Sequence, residues 1–175
     1  MIETIAIIFS LISTWQAYKK NIWSWVTGMI GIIGYFYIFM NEKNWANVLL
    51  QIVFFIQYIY GWFRWKEDDR VITLSSSKTI LKQSGLIVLI YIACYYINVI
   101  FKGNLSMLDA STTALSVVAM VLLADKKIES WLYFILADIL YITLFASSNH
   151  IYSSLLYLAF LIIAIIGFFE WKKEL

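Results

Sequence analysis

The stretch Asn47–Trp65, NVLLQIVFFIQYIYGWFRW, combines an apolarity that suits a lipid bilayer with three side-chain amides, two tyrosines and two tryptophans. At about 100° of rotation per helical residue, Asn47, Gln51, Tyr58 and Trp62 fall on one narrow face of a helix. Amides beside aromatic rings can hydrogen-bond and stack against a flat molecule. The pattern therefore predicts a binding wall inside a membrane span.

The composition of the whole chain supports a membrane setting. Hydrophobic residues make up 62% of the 175 residues, charged residues only 14%, and the mean hydropathy is +0.80. A soluble domain of this size could not bury so much apolar surface. The net charge of +2 is explained by membrane topology and an anionic inner leaflet, so it does not call for a nucleic-acid partner.

Apolar runs long enough to cross a hydrocarbon core of about 30 Å recur along the chain. The sequence predicts an all-α membrane protein with seven transmembrane helices at residues 2–18, 22–40, 44–63, 84–102, 107–124, 129–147 and 150–170. The connection from Arg64 to Gln83 is the one long polar junction between them.

The basic residues predict the orientation of these helices. In a seven-helix topology eleven of them fall on one side and only Lys43 and Lys102 on the other. The eleven are Lys19, Lys20, Arg64, Lys66, Arg70, Lys78, Lys82, Lys126, Lys127, Lys172 and Lys173. We therefore expect the N-terminus outside and the C-terminus in the cytoplasm.

The chain also matches itself at one fixed, gapless offset, the shift that carries Lys20 onto Lys126; we call it the repeat offset. Tryptophans, a glycine and flanking lysines carry this match, because aliphatic matches are common by chance. The pairs are Lys20 with Lys126, Trp25 with Trp131, Tyr35 with Tyr141, Phe39 with Phe145, Gly61 with Gly167 and Trp65 with Trp171. Three helices thus recur in the same orientation after one intervening helix, a 3+1+3 parallel repeat. Its parts are a first bundle at 1–66, a loop and linker helix at 67–104, and a second bundle at 105–175.

The same residues resemble a known family. Gln51, Phe54, Phe55 and the Tyr60-Gly61-Trp62 run in the first bundle, and the Lys127-x-Glu129-x-Trp131 run in the second, are similar to the Pnu family of vitamin-precursor transporters. The resemblance implies a fold like that of the sugar-transporting SWEET proteins and an often trimeric assembly. It also implies facilitated diffusion of nicotinamide riboside, thiamine or riboflavin, with trapping by a cytoplasmic kinase. The chain has no proline, so the proline hinges of SWEET-type carriers are absent.

Asp138 is the one acid near the middle of a predicted span, where an ionised carboxylate costs about 2.5–3.5 kcal/mol. It is a candidate for meeting a ribose or a positive charge, and the alternative is a structural carboxyl that hydrogen-bonds a neighbouring helix. Gln51 and Asn47 are candidate ligand contacts for the same reason, since a buried amide needs a partner. Their alternative is interhelical hydrogen bonding.

The other candidates form aromatic and hydroxyl linings. Phe55, Tyr58 and Trp62 extend the wall in helix 3, and Tyr157 falls at the repeat position equivalent to Gln51. Thr113 and Ser116 lie on a polar stripe with Asp109, although such hydroxyls often bond their own backbone. Trp131 lies on the Asp138 face, with interfacial anchoring as the alternative. Anchoring is the expectation for Trp25, Trp65 and Trp171.

This inventory fits a flat, cationic, polar ligand, because aromatic faces attract a delocalised positive ring by roughly 0.5–2 kcal/mol once water is excluded. Nicotinamide riboside and thiamine carry such a ring, and riboflavin does not. The sequence predicts a uniporter for nicotinamide riboside, with thiamine or riboflavin as alternatives and no cofactor or metal. A membrane enzyme is disfavoured, since His150 and Cys94 are the only residues of their types. A channel or scaffold would not explain the helix 3 face.

Overall fold

The computed structural model describes residues 1–66, 71–100, 107–147 and 151–175, without the side chains of Asn98 and Tyr152. These residues form seven α-helices, and no β-sheet is present among them. The helices are α1 (Ile2–Tyr18), α2 (Trp23–Asn41), α3 (Trp45–Lys66), α4 (Ser77–Ile100), α5 (Met107–Ala124), α6 (Glu129–Ser147) and α7 (Ile151–Lys172). Arg70, Lys102 and His150 lie outside the described residues.

The predicted all-α membrane class is confirmed, with one difference in the number of long spans. Six helices, α2 to α7, are long and apolar enough to cross a bilayer. Helix α1 has 17 residues and is about 25 Å long at 1.5 Å per residue, the lower end of what spans a hydrocarbon core. Helix α4 begins at Ser77, well before the predicted start at 84, because Ser76 accepts the backbone N–H of Thr79 and caps it.

The chain divides into two compact units, Met1–Asp69 and Arg70–Leu175. In the first unit α1 packs on α2 and α2 on α3; in the second unit α4 packs on α5, α5 on α6 and α6 on α7. Small residues allow the close approach of α1 and α2. A Cβ atom on Gly34 would lie 2.8 Å from the Ala6 side chain, and one on Gly31 would lie 2.6 Å from the Ser10 hydroxyl.

The tryptophans near the helix ends pack inside the units. The Trp25 ring meets the Trp65 ring edge to face, with centroids 5.2 Å apart at 88°, and Trp131 meets Trp171 at 5.4 Å and 90°. All four are buried. Interfacial anchoring is therefore the wrong expectation for Trp25, Trp65 and Trp171, because each ring fills the space left by a neighbouring helix rather than facing the bilayer surface.

In each unit a buried tryptophan ring packs directly on a glycine of the neighbouring helix. A Cβ atom on Gly61 would overlap the Trp25 ring, and a Cβ on Gly167 would come within 2.8 Å of the Trp131 ring. These two glycines are needed for the close contact of α2 with α3 and of α6 with α7. We call each set of two tryptophans and one glycine a tryptophan corner.

A short segment before α4, residues 71–76, is held against the turn before α6. The backbone of Thr73 exchanges hydrogen bonds of 3.2 Å with Lys126 and Ile128. The Ser75 N–H donates to the Glu129 carboxylate at 2.7 Å, and the Lys127 ammonium donates to the Thr73 hydroxyl at 2.8 Å. Lys127 and Glu129 of the family-like run therefore fasten this segment, and the acid also suits the positive N-terminal end of α6.

We expect Gly61→Ala and Gly167→Ala each to lower the free energy of unfolding by about 1–3 kcal/mol, the usual range for overpacking a dense core. Thermal unfolding in detergent, followed by tryptophan fluorescence, measures the change. Gly85→Ala in α4 is the matched control, because no atom lies within 4 Å of the added Cβ, and alanine is the better helix former. If Gly61→Ala unfolds at the same temperature as wild type, the proposed role of the tryptophan corner is contradicted.

Candidate functional site

Gln51 is the buried centre of the predicted α3 wall. Its side chain is 7% exposed, and its carbonyl oxygen Oε1 has no hydrogen-bond partner among the described residues. Asn47 and Phe55 are half-buried on the same helix, and the backbone N–H of Asn47 donates to Asn44 Oδ1 at 3.3 Å, which caps α3. Since a buried unpaired carbonyl costs about 1–3 kcal/mol, Gln51 is the residue of this wall that most needs a ligand or water.

The other two members of the wall contact α2. The Tyr58 ring lies 5.8 Å from the Trp25 ring and covers Gly28, where a Cβ atom would overlap it. The Tyr58 hydroxyl lies near Ser13 of α1. Trp62 is half-buried with its ring 5.7 Å from Trp23. Tyr58 therefore has a packing role inside the first unit, whatever contact it makes with a ligand.

In the second unit the predicted residues of α5 and α6 come together around Tyr141. The Tyr141 hydroxyl lies near the Thr112 and Thr113 hydroxyls of α5 and near the carboxyls of Asp109 and Asp138. Asp138 is 7% exposed, and Thr112 and Thr113 are fully or almost fully buried. This arrangement places an acid and several hydroxyls along one contact between α5 and α6. Ser116, one turn further along α5, is half-buried.

Tyr157 of α7 lies on an aromatic stack formed by α6. Its ring is nearly parallel to that of Tyr141, with centroids 4.2 Å apart, and to that of Phe145 at 5.5 Å. Phe160 tilts against it at 5.9 Å. The site predicted from the sequence contains neither Tyr141 nor Phe145. The signal that could have found them is their match with Tyr35 and Phe39 at the repeat offset.

Trp131 is fully buried in the second tryptophan corner, and its ring is also 6.0 Å from that of Phe134. Its indole nitrogen has no hydrogen-bond partner among the described residues. A ligand contact by Trp131 stays a prediction, and such a contact would have to reach a ring that the second unit already encloses. Within the described part of the chain, no group of three or more histidine, cysteine or acidic side chains is placed to hold a metal.

Comparison with known proteins places this geometry in a class. The chain is 24% identical to "Nicotinamide riboside transporter PnuC" of Escherichia coli K12 in an alignment 201 positions long that covers 97% of this chain and 84% of that protein. It is 29% identical to the Haemophilus influenzae protein of the same name over 168 residues, covering 89% of this chain and 72% of the other. The fold matches that of "Crystal structure of the Vitamin B3 transporter PnuC" with a TM-score of 0.82, at 20% identity over 98% of this chain and 80% of that one.

The fold and these relatives define a multi-pass membrane transporter. The chain belongs to the family described as "Nicotinamide mononucleotide transporter", whose model matches residues 1–173. The predicted resemblance to the Pnu family is thereby confirmed, as is the expectation of a transporter rather than an enzyme.

The unpaired Gln51 carbonyl predicts an unusual stability effect. We expect Gln51→Leu to leave the ligand-free protein as stable as wild type or more so, because an apolar side chain of similar size removes the cost of the unpaired oxygen. Thermal unfolding in detergent without ligand measures this.

The matched control is Gln83→Leu. Gln83 is equally buried, but its amide nitrogen donates to the Ser75 hydroxyl at 3.2 Å and its Oε1 accepts from Tyr133 at 3.4 Å. We expect this variant to lose about 1–3 kcal/mol, because it leaves partners unpaired. A comparable loss in Gln51→Leu would assign Gln51 to helix packing.

Proposed function

We propose that the protein carries nicotinamide riboside across the bacterial cytoplasmic membrane by facilitated diffusion, and that cytoplasmic phosphorylation then traps the substrate. Family membership and the names of both relatives support vitamin B3 transport. The observation that carries the proposal for the substrate is the Gln51 carbonyl oxygen, buried without a partner among the described residues on the helix that also carries Tyr58 and Trp62. It suits the N–H of a carboxamide on a flat ring.

The buried charges favour the riboside over the mononucleotide in the family description. A phosphate group would need a basic partner to offset its burial. The buried polar and charged residues of the described chain are Ser13, Ser24, Gln51, Gln83, Thr112, Thr113, Ser130 and Asp138, and none of them is basic. An acid among hydroxyls suits a ribose and a cationic ring instead.

The proposed substrate-binding residues remain those of the sequence analysis. In the first unit they are Asn47, Gln51, Phe55, Tyr58 and Trp62, and in the second unit they are Thr113, Ser116, Trp131, Asp138 and Tyr157. Thiamine, another flat cation, is the second candidate substrate, because the same amide and aromatic groups could bind its aminopyrimidine. Riboflavin lacks the positive charge that Asp138 would offset.

We further propose the 3+1+3 parallel repeat, in the segments 1–66, 67–104 and 105–175, with the N-terminus outside and a trimeric assembly as the family resemblance implies. Helix bounds support the repeat, because the repeat offset carries both ends of α2 onto the ends of α6 and both ends of α3 onto those of α7. The turns agree as well. Lys20 and Lys126 both adopt positive φ angles, 57° and 51°, after α1 and α5.

Uptake by proteoliposomes that contain no kinase tests the proposed mechanism. Labelled nicotinamide riboside should equilibrate across the membrane and not accumulate, because no energy source is coupled to its movement. Empty liposomes measure the background leak. Accumulation that follows an imposed proton or sodium gradient would overturn the uniport mechanism while leaving the substrate assignment intact.

A binding titration of the purified protein against nicotinamide riboside, thiamine, riboflavin and nicotinamide mononucleotide tests the substrate. We expect nicotinamide riboside to bind most tightly. Gln51→Ala should weaken its binding by about 1–3 kcal/mol, because the substrate N–H loses its acceptor. Equal binding of all four compounds, or unchanged binding by a folded Gln51→Ala protein, would contradict the proposed site.

A further inference from the structure

The two units contain the same pair of stacked rings. Tyr35 and Phe39 on α2 lie 6.3 Å apart at 20°, and Tyr141 and Phe145 on α6 lie 6.0 Å apart at 17°. The two rings of each pair lie one helical turn apart and nearly parallel, and we call each pair a flat surface.

The two flat surfaces differ in what can cover them. In the second unit the Tyr157 ring lies against both rings of the pair, 4.2 Å from Tyr141 and 5.5 Å from Phe145. The residue equivalent to Tyr157 under the repeat offset is Gln51, which has no ring. The first unit therefore lacks at this position the third ring that completes the stack in the second unit.

The tryptophan corners support the comparison of position 51 in the first unit with position 157 in the second. The rings of Trp25 and Trp65 lie 5.2 Å apart at 88°, and those of Trp131 and Trp171 lie 5.4 Å apart at 90°, which is nearly the same geometry. Because these corners constrain the register of α3 on α2 and of α7 on α6, we infer that Gln51 lies opposite the Tyr35 and Phe39 pair, as Tyr157 lies against Tyr141 and Phe145.

A second observation points to a ligand at this place. Gln51 is more than nine-tenths buried, and its Oε1 atom has no hydrogen-bond partner among the described residues. Buried polar atoms in native proteins are nearly always paired. A flat ring that bears an N–H donor would supply both the missing ring and the missing partner.

We propose that Tyr35 and Phe39 are substrate-binding residues that stack against the heteroaromatic ring of the substrate, in the place that Tyr157 occupies in the second unit. The Gln51 carbonyl oxygen accepts a hydrogen bond from the N–H group of that ring's carboxamide. This inference rests on the proposed function for the identity of the ring. Neither Tyr35 nor Phe39 belongs to the site predicted from the sequence.

The test measures nicotinamide riboside binding by Tyr35→Leu and Phe39→Leu proteins in detergent. Each variant should weaken binding roughly 3- to 30-fold, the range that corresponds to loss of one stacking or cation–π contact. Tyr37→Leu is the matched control, because Tyr37 lies on the same helix but is 54% exposed. It should bind as wild type does. Tyr35→Phe should also bind within about 3-fold of wild type, because it keeps the ring.

Gln51→Tyr provides a test that does not depend on the leucine variants folding. The new ring should cover Tyr35 and Phe39 as Tyr157 covers its own pair. The protein should therefore unfold at or above the wild-type temperature and lose nicotinamide riboside binding by about 100-fold or more.

Dihydronicotinamide riboside, whose ring is neither charged nor aromatic, should bind to wild type more weakly than the oxidised compound. This difference should shrink in Phe39→Leu.

The outcomes separate the two proposals. If wild type does not bind nicotinamide riboside, the proposed function fails. If wild type binds it and folded Tyr35→Leu, Phe39→Leu and Gln51→Tyr proteins bind it equally well, the function stands and the stacking surface is overturned. Weakening by Tyr37→Leu to the same degree as by Tyr35→Leu would also overturn it, because the effect would then not depend on the stacked pair.

Discussion

A lipid bilayer provides no hydrogen-bond partner for a polar atom, so every amide, hydroxyl or acid inside a span must find one in the protein or in what the protein binds. Several buried polar side chains of this chain obey the rule locally. Ser13 donates to the Ser24 carbonyl at 2.7 Å, and Thr112 donates to the Asp109 carbonyl at 2.9 Å. The Gln51 carbonyl oxygen departs from that rule, because it is a buried amide acceptor with no partner among the described residues. The hydroxyls of Ser24 and Ser130 and the indole nitrogens of Trp25 and Trp131 are also buried without a partner among these residues.

The tryptophan corners explain how the helices around the Gln51 carbonyl oxygen keep their positions although that oxygen forms no hydrogen bond among the described residues. A corner of two perpendicular indoles over a glycine leaves little freedom for the helices to slide, since large rings in close contact have few alternative arrangements. Both corners have nearly the same geometry, although the residues around them differ. Each tryptophan corner therefore constrains the positions of side chains further along the same two helices.

The two units fill equivalent space from opposite helices. In the first unit a ring from α3, Tyr58, covers Gly28 of α2 and packs 5.8 Å from Trp25. In the second unit the ring comes from α6, where Phe134 stands at the position equivalent to Gly28 and packs 6.0 Å from Trp131. The equivalent of Tyr58 on α7 is the small residue Ala164, which is buried. The ring thus comes from the other helix of the pair while the filled volume stays similar, and a packed core tolerates such a change well.

The sequence by itself determined the membrane class, the number of helices and most of their bounds, because a long apolar run forms a helix in a bilayer whatever its neighbours are. It also identified Gln51 and Asp138 as buried polar residues from their cost alone. Only the tertiary structure decided that Trp25, Trp65 and Trp171 are core residues and that residues 71–76 are fastened by Lys127 and Glu129. It also placed Tyr141 near Asp138 and the α5 hydroxyls. A tryptophan near a helix end has the same local sequence whether it faces lipid or a glycine on the next helix. The side chains of the neighbouring helix decide which of the two occurs, and the periodicity along one helix carries no information about those side chains.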